Sequence, residues 1–149
     1  MDVVFVDKYE KNMKYRDLMT NLKKSIKNEF YYEAIFIEYA ILEDRTESIL
    51  RHANISTINS KGQTLTLNLK LSKIQQSKFC KYSYVKKHLT KNLINAIYDW
   101  KNDRNKLIHD LIKSDYSNES IKNVALNGYE LIKKINNKST LINKYNDNL

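Results

Sequence analysis

Ala34-Ile35-Phe36-Ile37-Glu38-Tyr39-Ala40-Ile41-Leu42 is apolar on nearly every side once wound into a helix. A helix without a polar face belongs in the middle of a bundle, where neighbours cover it. The helix holding this run is expected from Glu29 to about Ala53, with Asn28 as its N-cap. Past Leu42 it turns amphipathic, with Glu43, Asp44, Arg45 and Glu47 around Ile49 and Leu50. The aromatic residues Phe30, Tyr31, Tyr32 and Phe36, together with Trp100, read as core, with base stacking on Tyr31 or Tyr32 the alternative that nothing else in the sequence supports.

The rest of the composition points the same way. There is no proline, and Gly62 and Gly128 are the only glycines. Sandwiches, barrels and glycine-rich phosphate loops need more punctuation than that. At 149 residues the chain is long enough for one real core. The expectation is one all-α domain, a single up-and-down bundle of about five helices.

Around the central run, a first helix is expected from Tyr9 to about Ile26, with Met13, Leu18, Leu22 and Ile26 as its apolar stripe. Asn54 to Gln63 reads as a loop. Thr64 to about Phe79 is ambiguous: Leu65, Leu67, Leu69 and Leu71 alternate at strand period, while Leu67, Leu71 and Ile74 fit a helical face. Helix is the choice here, because no partner strand is visible. Tyr82 to about His88 continues that region or turns. One long helix is expected from about Leu89 to Ile112, its face carrying Leu93, Ile97, Trp100, Arg104, Leu107 and Leu111, with a kink at Asp103 as the one point that could split it in two. A last helix follows, capped by Ser117, with Ser120 as the other possible cap, and with Val124, Leu126, Leu131, Ile132 and Ile135 inward. The tail 136–149, rich in Asn and Lys, is expected to fray.

The single cysteine, Cys80, makes no internal disulfide and no cysteine-rich zinc site, which suggests a reducing compartment. Met1 to Asp7 puts an acid before a very short apolar run, unlike a signal peptide. No segment is apolar for long enough to cross a bilayer. The chain therefore reads as soluble and cytoplasmic, with no membrane partner. The three histidines, His52, His88 and His109, are too scattered for a metal site, and no cofactor is implied. His52 reads as a helix-end residue and His88 as a solvated one. The net charge of +9 suits an anionic partner such as nucleic acid. It equally suits a codon bias toward Lys, Asn, Ile and Tyr, since the lysines are spread over every segment.

Arginine is scarce, with four against twenty-two lysines. Such a chain keeps arginine where a planar, always-charged fork is wanted. Arg104-Asn105-Lys106-Leu107-Ile108-His109 combines one arginine, an amide and one of the few imidazoles on one helix, a candidate site for phosphate chemistry. Asn105 and His109 are four apart and share a face; Arg104 and His109 are five apart and diverge by well over a right angle. Either the arginine wraps round, or a second copy of the helix supplies the complementary half.

The run Arg104-Asn105-x-x-x-His109 resembles the R-x4–6-H motif of the HEPN superfamily, compact helical domains in which the residue after the arginine is commonly Asn. Glu38-Tyr39-Ala40-Ile41-Leu42-Glu43-Asp44-Arg45 resembles the acidic helix these domains carry early in the bundle. The resemblance implies metal-independent RNA cleavage by a homodimer with a composite site, of the kind found in toxins with antitoxin partners and in antiviral defence. His109 would be the general acid or base, Arg104 would neutralise the phosphate, and Asn105 would orient His109 or donate to a phosphate oxygen. Glu38, Glu43 and Asp44 receive no catalytic role, although one of them is placed to pair with Arg104. Some relatives carry a tyrosine two residues past the histidine, where modification silences them. Leu111 stands there in this chain, which puts that regulation in doubt. Other relatives are non-catalytic modules that bind RNA or protein, the alternative function. In the plainest reading Arg104 is salt-bridged to Asp44 or Glu43, and His109 is bonded to a backbone carbonyl.

Overall fold

The computed structural model describes residues 8–76 and 87–147. It contains five named helices: α1 (Lys8–Lys27), α2 (Tyr31–His52), α3 (Leu67–Gln75), α4 (Lys91–His109) and α5 (Asn118–Asp147). They pack as an all-α bundle. Cys80, the run Met1 to Asp7 and the segment from Tyr82 to Lys86 lie outside the described residues. No described helix is long and apolar enough to cross a membrane.

The apolar run of α2 makes it the hub. It packs against α1, α3 and α5, and α4 closes the bundle against α3 and α5. Ile35, Ile41 and Leu42 meet Leu22 of α1, Leu67 and Leu71 of α3, Ile97 and Leu107 of α4, and Ile132 of α5 in one buried cluster. Polar contacts fix the directions. Near the start of α1, Lys11 reaches Asp44 at 3.0 Å and Tyr15 lies under the Arg45 guanidinium at 4.3 Å, so α1 and α2 run antiparallel. Burial pushes the Asp44 carboxyl up, but Arg45 and Lys11 more than offset it and hold its pKa below the usual carboxylate value. Tyr15 also donates to Asn136, tying α1 to α5. Asn68 of α3 accepts from Lys101 at 2.5 Å, and Gln75 meets Asn95 at 3.4 Å, so α3 and α4 are antiparallel as well.

Several expectations need correction. Asn28 does not cap α2. Its amide donates to the Lys24 carbonyl at the end of α1, Glu29 turns the chain at φ 61°, and α2 begins at Tyr31 without a side-chain cap. The ambiguous leucines resolve as helix over Leu67–Gln75, with the Thr66 hydroxyl accepting from Leu69 N–H. Leu67, Leu71 and Ile74 go inward while Leu69 is exposed, which is helical spacing. The alternation keeps a trace just upstream, where Ile58 and Thr64 form an isolated antiparallel bridge around the turn at Gly62. The long helix is continuous through Asp103, the one helix expected, but ends at His109 and not at Ile112. Ser117 caps α5 as expected, accepting from Ser120 N–H at 3.1 Å. The helix then continues through the segment expected to fray, burying Ser139 and Ile142. His88 is half-buried, and that burial, with Lys138 and Lys87 nearby, lowers its pKa.

The largest departure concerns the aromatics. Trp100 is buried, but Phe30, Tyr32 and Phe36 are 59%, 49% and 71% exposed. Phe30 precedes the first turn of α2; for Tyr32 and Phe36 the reason is the length of α3. It lies along the C-terminal half of α2, where Lys70 meets Glu43 and Glu47, and reaches α4 only as far as Lys101. Among the described residues, no helix lies over the same face of α2 farther toward its N-terminus.

Candidate functional site

The site is built on the last two turns of α4. Arg104, Asn105, Lys106, Ile108 and His109 line one shallow surface hollow. Leu107 points the other way and is buried, which locks the rotation of this segment. Asn105 and His109 are exposed, whereas Arg104 is half-buried, leaning toward α2.

Arg104 is held on two sides. Its Nη1 donates to Asn105 Oδ1 at 2.9 Å, and its guanidinium carbon lies 4.2 Å from the centre of the Tyr39 ring. Stacking of this kind is worth about 0.5–2 kcal/mol and fixes the plane of the fork. Burial, then the Glu43 charge, raises the Tyr39 phenol pKa, with Arg104 pulling against them, so the ring is neutral near pH 7. Among the described residues Arg104 forms no ion pair, and its buried Nε has no hydrogen-bond partner. Asp44 is taken by Lys11 and Arg45, and Glu43 by Lys70. The plain reading of Arg104 as half of a salt bridge is therefore set aside.

Asn105 faces the arginine, and no hydrogen bond joins it to His109 among the described residues. Its carbonyl oxygen is spent on Arg104, leaving the amide N–H groups for an incoming acceptor. His109 stands in the last turn of α4. Within one chain the helix keeps it on the far side of the hollow from Arg104, the divergence expected of residues five apart. Tyr39 lies within the acidic-helix segment, where the sequence implies no role for it. No local pattern marks it, because its partner belongs to a distant helix.

Glu38, beside Tyr39, is not part of this hollow. It points into the core, fully buried, with both carboxyl oxygens unpartnered among the described residues. Burial pushes its pKa from 4.5 up to about 9. It lies against Gly128 of α5: a Cβ at Gly128 would sit 2.6 Å from Glu38 Cδ and 2.8 Å from Trp100 Nε1. The Trp100 indole N–H donates to the Val124 carbonyl at 2.9 Å.

No group of three or more His, Cys, Asp or Glu placed to hold a metal ion occurs among the described residues. Compared with protein-family models, curated proteins and solved structures, the chain matches none of them.

Proposed function

We propose that this chain is a metal-independent endoribonuclease of HEPN type, a toxin or antiviral effector that works as a homodimer in the cytoplasm. The observation that carries the reading is Arg104: stacked, hydrogen-bonded, half-buried and unneutralised by any described carboxylate. An arginine kept that way meets the requirement for a phosphate ligand. Asn105 and His109 in the same hollow add a second donor and a proton carrier.

The chemistry follows from those groups. The 2′-hydroxyl of a nucleotide attacks the adjacent phosphorus, and the bond from phosphorus to the 5′-oxygen breaks. His109 takes the 2′-hydroxyl proton while water protonates the leaving 5′-oxygen, or His109 supplies that proton while water takes the one from the 2′-hydroxyl; either role is worth roughly 10²–10⁴-fold in rate. Arg104 neutralises the extra negative charge as the phosphorane forms. The products are a 2′,3′-cyclic phosphate and a 5′-hydroxyl. Because Arg104 and His109 diverge on one helix, two copies packed about a two-fold axis would bring the arginine of one beside the histidine of the other.

One observation favours the second reading, a non-catalytic module that holds RNA or a protein partner. No described side chain is hydrogen-bonded to His109, whereas a catalytic imidazole is usually oriented by a further group. The two readings separate in one experiment. Wild type, Arg104→Ala and His109→Ala are incubated with a labelled mixed RNA pool in EDTA, fragment ends are identified, and oligomeric state is measured by sedimentation. Cyclic-phosphate ends from a dimeric wild type, lost in both variants, are expected. Intact RNA from folded, dimeric wild type selects the binding module.

A further inference from the structure

The short α3 bares a stripe on α2 that leads to Arg104. Tyr32, Phe36 and Tyr39 are four and three residues apart, so they lie on one helix face. Tyr32 is about half exposed and Phe36 more so, and Tyr39 is the ring beneath the guanidinium. Phe36, 71% exposed, and Tyr32 one turn before it form a contiguous aromatic patch on a well-formed helix.

From these positions we propose that Tyr32, Phe36 and Tyr39 form a base-stacking subsite that leads unpaired RNA nucleotides into the Arg104 hollow. The proposal deepens the ribonuclease reading and rests on it for the identity of the ligand. Three observations favour RNA as the occupant. The stripe ends at Arg104, a cation without a described carboxylate partner, with Lys106 in the same hollow; Glu43, the next residue along this face, is paired with Lys70, so the charge left at the end suits a phosphate backbone. Its members are aromatic, and base–ring stacking is tolerant of sequence. Their spacing along the helix is about 6 Å and then about 4.5 Å. Both exceed the roughly 3.4 Å step of stacked bases, which suits nucleotides splayed apart, and the bases of a regular duplex, already paired and stacked, offer no free face to these rings.

The test measures binding in a background that does not cleave. His109→Ala protein is titrated in EDTA against a labelled oligouridylate and against the same strand in a perfect duplex. Phe36→Ala, Phe36→Leu and Phe36→Trp are added in that background, with Tyr32→Ala as a second position. Phe36 is exposed, so these variants are expected to fold, and thermal unfolding checks that they do. The expected result is preference for the single strand, a loss of about fivefold or more with Phe36→Ala and Phe36→Leu, and retention with Phe36→Trp. Equal binding by Phe36→Ala, or no binding of the single strand, overturns the proposal. So does a fall in oligomeric state caused by Phe36→Ala, which assigns the stripe to contact between copies. Failure of the nuclease reading is seen separately. A wild type that leaves RNA intact while the stripe variants lose affinity sinks cleavage and spares the stripe; a cleaving wild type with unaffected stripe variants does the reverse.

Discussion

Glu38 sets a cost that the rest of the core must carry. A carboxyl buried without a partner is neutral in the folded protein, because ionising it there means desolvating a charge. The unfolded chain releases this proton near 4.5 and the folded one near 9, so the folded state binds more protons between those values. The contribution of this residue to stability is therefore greatest below pH 4.5 and falls as pH rises, by about 1.4 kcal/mol per unit, until pH 9. Glu38→Gln is expected to flatten this dependence and to raise the melting temperature most on the alkaline side. Thermal unfolding of both proteins from pH 5 to 9 checks it, and parallel curves would sink the idea. The neighbouring Gly128 is explained by the same carboxyl. Gly128→Ala brings a methyl against Glu38 and Trp100 and should cost about 1–3 kcal/mol. Combining it with Glu38→Ala should cost less than the two changes added separately, and the coupling is read in denaturant unfolding. Sequence reading reached Glu38 only as part of an acidic segment. Its depth depends on which side of α2 meets α5, and that is a property of packing between distant segments.

Among the elements, α3 decides what the surface offers. Nine residues long, it is held by the Thr66 cap, by a fully buried Lys70 set between Glu43 and Glu47, and by Asn68 under Lys101. Thr66→Ala should cost about 1 kcal/mol. That loss should appear first as faster amide exchange over Leu67–Gln75, with α2 and α5 still protected; uniform acceleration along the chain would contradict it. The existence of α1, α2, α4 and α5 was legible because each carries a long helical period. The leucines before Gln75 were not decisive, since a nine-residue element satisfies two periods at once. Nor was the exposure of Tyr32 and Phe36 legible. An aromatic residue reads as core until the length of the covering helix is known. Asn28 misled for a related reason: a side-chain amide near a helix junction can close the helix behind it as well as open the one ahead, and here it bonds to the Lys24 carbonyl.

For the whole molecule, the scarcity of glycine and the absence of proline made the all-α fold readable from composition. The motif on α4 was readable as spacing. Its third dimension was not, because Tyr39 and the carboxylates Glu43 and Asp44, which find partners other than Arg104, come from α2. The net charge of +9 now has a consequence that separates codon bias from use. If the hollow and its surroundings hold a phosphate backbone, log affinity for RNA should fall linearly with log salt, and Arg104→Ala should lower that slope by about one contact. A slope indifferent to Arg104 would mean the lysines attract RNA without help from the site. Trp100, finally, gives the protein its own optical gauge. It is the only tryptophan, it is buried, and its indole lies against the same glycine as the Glu38 carboxyl. Its emission therefore reports on one place, the seam of α2, α4 and α5, without any attached dye. Opening of that seam, or the appearance of a charge beside it at alkaline pH, becomes a change of colour in the intact protein.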